Sequence, residues 1–153
     1  MNPLPHEIDA VMDTDPMVLY EVNIRVLADT AQEYEEWLDK HIREIMQVEG
    51  FVSAEWFEIE EDSEAKELEE AVRNAVRLDE SIPQEIREAA ANPLRTCLYS
   101  VQYRLESKEA FDNYQRYHAE ALRQEAIEKF GTRFAATRRV MCLREAYSVS
   151  PSI

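Results

Sequence analysis

Residues Tyr20–Val26 read YEVNIRV, and Tyr99–Leu105 read YSVQYRL. Position by position the two stretches share a tyrosine, a valine, a side-chain amide, an arginine and a closing aliphatic residue. Around the first, Val18, Tyr20, Val22, Ile24 and Val26 alternate with Glu21, Asn23 and Arg25. A period of two predicts a strand from Met17 to Leu27, apolar on one side and polar on the other. Leu98–Leu105 repeats the pattern, so one strand type is used twice.

The repeat extends beyond the strands. After the first, Asp29 stands at a cap position with Gln32 three residues on, and Ala31, Tyr34, Leu38, Ile42 and Ile45 follow at helical intervals. Gly50 ends that helix and Phe51 to about Glu60 forms a second strand. After the second copy, Ser107 is the cap, and Phe111, Tyr114, His118, Leu122 and Ala126 mark the inner face of one helix. Gly131 ends it, and Arg133–Arg144 supplies a fourth strand. The chain's two glycines thus fall after its two main helices, where a left-handed cap residue is wanted. Trp37-x-x-x-His41 in the first helix matches Tyr114-x-x-x-His118 in the second.

The order β-α-β-β-α-β with equivalent halves predicts an α+β, ferredoxin-like fold, with both helices on one face of a four-stranded antiparallel sheet. Between strands 2 and 3, residues 61–93 form an acidic helical insertion. Leu68, Val72, Ala75 and Val76 carry helical spacing, Ser81 and Pro83 suit the start of another helix, and Asn92-Pro93 breaks it. Residues 60–92 hold eleven acidic and four basic side chains, a net −7, which predicts a solvated face or a docking surface for a basic partner. The expected organisation is a flexible N-terminal tail over 1–16, one domain over 17–145 and a C-terminal tail over 146–153. Met17, opening directly onto strand sequence, is an alternative start.

Composition restricts the partners. The 153 residues carry a net charge of −15, which repels a phosphate backbone and disfavours nucleic acid and anionic membrane. No apolar run reaches membrane-spanning length, and residues 1–16 lack the basic start and apolar core of a signal peptide. A cytoplasmic location is expected. Cys97 and Cys142 have no metal-like spacing and are read as free buried thiols.

In this fold Tyr20, Val22, Ile24, Val101 and Tyr103 pack under the helices. Glu21, Asn23, Arg25, Ser100, Gln102 and Arg104 share the opposite face, which must meet water, a second subunit or a ligand. It lacks the aromatics of an RNA-reading sheet. The expectation is a homodimer whose sheet faces close into an α+β barrel with a partly polar interior.

YEVNIRV, EWLDKHIREIM followed by GFVSAEWF, YSVQYRLES and FGTRFAATRRVM together resemble an uncharacterised bacterial domain-of-unknown-function family among the dimeric α+β barrels. The resemblance covers roughly Met17 to Leu143 minus the acidic insertion, which departs from the family's shorter connection. It implies the fold. The wider superfamily includes antibiotic-biosynthesis monooxygenases, haem-degrading monooxygenases and lactone isomerases, with reactive cavities between sheet and helices. Haem-degrading relatives use an asparagine, a histidine and a tryptophan, parts that Asn23, His118 and Trp56 match by resemblance.

The residues themselves nominate His118, on the inner helical face, as a candidate base, with His41 in the equivalent place; both also fit structural core histidines. Asn23 and Gln102 are candidates to orient a carbonyl or hydroxyl, and Arg25 or Arg104 to hold an anionic group. The alternative pairs these arginines with Glu21, Glu55 or Glu58 in a satisfied network. Arg133, Arg138, Arg139 and Arg144 on the last strand read as an anion-binding rim or as partners of nearby carboxylates. With no HxxxH or HExxH pattern and no glycine-rich loop, no metal and no cofactor are expected. The favoured reading is a small-ligand-binding homodimeric barrel, against a cofactor-independent monooxygenase or isomerase and an interaction protein docking through its insertion.

Overall fold

A computed structural model describes residues 17–60, 62–91 and 95–150. The expected N-terminal tail, the question of Met17 as a start, the Asn92-Pro93 break and the last three residues lie outside that range. The elements run β1 (Val18–Leu27), α1 (Ala31–Ile45), β2 (Phe51–Glu58), α2 (Ser63–Leu78), α3 (Gln84–Ala91), β3 (Thr96–Leu105), α4 (Lys108–Tyr117), α5 (Ala119–Phe130) and β4 (Phe134–Cys142). A 3-10 turn, Gly131–Arg133, precedes β4.

The duplicated stretches are the two central strands. The antiparallel sheet has the order β2-β3-β1-β4, and β1 pairs with β3 so that Tyr20 faces Tyr103 and Asn23 faces Ser100. This is the ferredoxin-like arrangement, with the α2–α3 hairpin inserted between β2 and β3. Period-two burial follows: Val18, Tyr20, Ile24 and Val26 are buried from β1, and Tyr99, Val101, Tyr103 and Leu105 from β3. Each such side chain taken from water contributes on the order of 1.5–3 kcal/mol. The partners Tyr20 and Tyr103 also stack, with ring centroids 5.8 Å apart.

Three local expectations are corrected. The α1 cap is Thr30, not Asp29, because the Asp29 carboxylate accepts the Thr30 hydroxyl at 3.0 Å and the helix starts one residue later. The helix expected from Ser107 to Gly131 is two: His118 (φ −129°, ψ −36°) closes α4 and opens α5. At the break small Ala119 is buried in place of His118, whose imidazole is exposed, which avoids desolvating a polar ring, while Leu122 and Ala126 are buried as expected. Cys97 is half-buried and Cys142 exposed, since Cys142 ends an edge strand that the helices do not cover.

Ser107 does cap α4, its hydroxyl accepting the Ala110 N–H at 3.1 Å. Gly50 has φ +94°, and a Cβ there would stand 2.4 Å from that of Ala110. This close approach locks the turn after α1 against the start of α4. Among the described residues no helix is long and apolar enough to cross a membrane.

Candidate functional site between sheet and helices

The helix-facing side of the sheet does not fill completely. Between β1, β3, β4 and the helices lies a cavity of about 40 Å³, walled by Tyr20, Tyr34, Trp37, Tyr103 and Tyr114. Roughly 10–15 Å³ of such space admits one water, so this cavity has room for a few. Two aromatic groups flank it. Tyr20 contacts Phe111 and Tyr114 at centroid distances of 5.2 and 5.7 Å, while Tyr34 contacts Phe130 at 4.9 Å and Trp37 at 5.5 Å.

Three polar side chains reach the same space from different elements: His41 from α1, Arg123 from α5 and Arg138 from β4. Trp37 stacks on the His41 ring at 4.3 Å, the i,i+4 relation that the spacing suggested. Arg123 donates to the Tyr20 hydroxyl at 3.2 Å and to Gln115 at 3.4 Å. Two wholly enclosed atoms, His41 Nδ1 and Arg123 Nε, have no hydrogen-bond partner among the described residues. Leaving a buried polar group unpaired costs about 1–3 kcal/mol, so two such groups on residues that line one cavity call for an explanation.

Burial and, secondarily, the Arg138 charge push the His41 imidazole down to about 4, so it is neutral at physiological pH. Burial likewise holds the phenols of Tyr34, Tyr103 and Tyr114 well above the usual tyrosine range. The walls therefore offer a neutral base, neutral phenols and two guanidiniums. At the outer side of His41, the exposed Glu44 and Glu125 bring potential ligand atoms within 4.8 Å of it and of each other.

The residues singled out from sequence lie elsewhere. Asn23, Arg25, Gln102 and Arg104 do share the opposite sheet face, and each has a carboxylate partner. Asn23 and Gln102 donate to Glu21 at 3.0 and 3.2 Å, Arg139 also pairs with Glu21, Arg25 pairs with Glu69 of α2, and Arg104 lies 3.6 Å from Glu55. The Arg139 hydrogen bond above all holds Glu21, only 6% exposed, below the usual carboxylate range. Asn23 and Arg25 line an open groove of about 650 Å³ between this face and the insertion. Of the arginines expected on the last strand, Arg139 answers a carboxylate, and Arg133, in the 3-10 turn before β4, lies 4.0 Å from Glu33.

His118 is exposed and lines a separate surface recess beside Glu49 and Glu106. Its expected position on the inner face is overturned by the α4–α5 break. Nor do the three residues suggested for haem converge. Asn23 is on the open face, Trp56 is on the other side of the sheet against Tyr99, and His118 is at the helix junction. This set does not fit a haem. The residues missed from sequence are Arg123 and, as a cavity group, Arg138. A His at i+4 from Trp was a visible signal for His41; nothing local marked Arg123.

Two solved structures are similar in outline. One, from Bacillus cereus, is described as a "Putative Antibiotic Biosythesis Monooxygenase"; it is 13% identical, with a TM-score of 0.48, 88% of this chain and 99% of that chain being covered. The other, from Shewanella loihica PV-4, is described as "a putative monooxygenase"; it is 13% identical, with a TM-score of 0.45 and coverage of 88% and 100%. None of the curated proteins matches this sequence. Residues 17–143 match the DUF4286 family, a domain of unknown function, and the chain belongs to that family.

Proposed function

We propose that this protein binds a small molecule in the cavity between sheet and helices, and that it does so as a homodimer joined through the open sheet faces. The observation that carries the first part is that His41 and Arg123, each with an enclosed nitrogen that has no hydrogen-bond partner among the described residues, line one cavity. A ligand or ordered water supplying one acceptor and one donor would satisfy both.

A second reading, proton-transfer chemistry in an isomerase or cofactor-independent oxygenase, is favoured by His41. Its neutral imidazole accepts a proton, and phenols beside it can hold a carbonyl oxygen. In that reading His41, rather than His118, is the base.

Ala126 on α5 is buried and lines the cavity, so Ala126→Val fills most of it. In a thermal-shift screen of fragments of a few heavy atoms, the parent should show stabilising binders, and Ala126→Val should lose them while still melting cooperatively. Binders that stabilise both proteins equally would place the ligand outside the cavity and refute the proposal.

A further inference from the structure

Independently of what fills the cavity, we propose that His41, Glu44 and Glu125 bind one divalent transition-metal ion of the zinc type between α1 and α5. One potential ligand atom from each of the three lies within 4.8 Å of the other two. Atoms that share a tetrahedral zinc stand roughly 3.3 Å apart, a closure within reach of two long, exposed glutamate side chains. His41 and Glu44 are three residues apart on α1 and so share one face of that helix, while Glu125 comes from α5. Trp37 stacks on the His41 ring at 4.3 Å and fixes its plane.

The charges around the three residues lack a cation. Neither glutamate has an ion pair or a side-chain hydrogen bond among the described residues, although their carboxylates stand close together. Basic residues along the two helices do not answer them: Arg43 pairs with Asp39, Lys129 lies over the Phe130 ring, and Lys40, one turn before Glu44, makes no ion pair with it. Arg138 of β4 acts on His41, and two carboxylates outweigh its single charge. Burial leaves the imidazole neutral, so a metal displaces no proton from it. A neutral imidazole, two carboxylates and a dication sum to zero. The nitrogen donor sets the class of ion, because imidazole suits zinc and its first-row neighbours whereas magnesium and calcium favour all-oxygen sites. Three protein ligands leave a fourth position for water, as in catalytic rather than structural zinc sites.

The test titrates zinc, and separately magnesium, into the untagged, chelator-treated protein by isothermal calorimetry. One zinc per chain should bind with a Kd on the order of 1 μM, and magnesium about a hundredfold more weakly or worse. Glu44→Gln and Glu125→Gln, both at exposed positions, should each weaken zinc about tenfold, with circular dichroism spectra matching the parent's. Glu120→Gln, an exposed glutamate of α5 outside the set, should leave the Kd unchanged. Zinc at about 100 times its Kd should raise the parent's Tm by roughly 5–10 °C, and the two ligand variants should lose most of that shift. A Kd that moves no more in Glu44→Gln and Glu125→Gln than in Glu120→Gln, or zinc bound no more tightly than magnesium, would overturn the site and leave only diffuse attraction to an acidic surface. Either result leaves the cavity reading to its own test with Ala126→Val.

Discussion

His41 and His118 occupy matching places in a duplicated helix, yet the fold treats them oppositely. His41 lies under Trp37 with one nitrogen enclosed, while His118 sits exposed at a helix break. Burial and Arg138 keep the folded His41 imidazole near 4, below the ordinary 6.5 it regains on unfolding. Between those values the unfolded chain binds more protons, so stability is full above about pH 6.5 and falls as pH drops toward 4. From about pH 7.5 to pH 5 the loss should be roughly 2 kcal/mol, read from urea unfolding, and His41→Phe should remove most of it. A slope unchanged in His41→Phe would contradict this burial-driven account. The sequence placed both histidines on an inner face because a helical wheel assumes an unbroken helix. Which one reaches the cavity depends on a single non-helical residue that no proline or glycine announces.

At the scale of elements, the strands were legible and the helix ends less so. Alternation in YEVNIRV and YSVQYRL specifies which side faces the helices, and a one-residue error would have put Glu21 and Arg25 under them. The α4 cap was readable at Ser107; the α1 cap was not, because Asp29 and Thr30 compete for one role and bond each other. The glycines were readable as turn residues, but their unequal importance was not. Gly50 combines a positive φ with a Cβ position 2.4 Å from Ala110, whereas a Cβ at Gly131 meets nothing within 4 Å. Gly50→Ala should therefore cost about 2–4 kcal/mol, adding overpacking to backbone strain, and Gly131→Ala about 1–2 kcal/mol from strain alone. Thermal melts of the two variants check the order; a smaller loss at Gly50 would contradict the packing described.

For the whole molecule, one sheet face meets the helices and the other meets α2 through the Arg25–Glu69 pair. That open face carries Glu21 beneath Arg139, with Phe57 45% exposed on an edge strand. The proposed dimer covers it, and light scattering should give about twice the 17.9 kDa chain mass at micromolar concentration. Substituting Arg139→Glu, which sets two carboxylates together on that face, should shift the molecule toward the monomer. The polar face was read correctly from sequence as a set, but its residues serve one another. The cavity drew on α1, β1, α5 and β4 together, a convergence that spacing along one chain segment does not reveal.

The space beside His41, Arg123 and Arg138 is proposed here as a ligand site. A crystal structure of the protein as purified, at a resolution that shows ordered solvent, tests that proposal. The expected result is connected density for a bound molecule of a few heavy atoms, hydrogen-bonded to His41 Nδ1 and Arg123 Nε. A dry cavity, with His41 Nδ1 and Arg123 Nε bonded to protein groups instead, would contradict it.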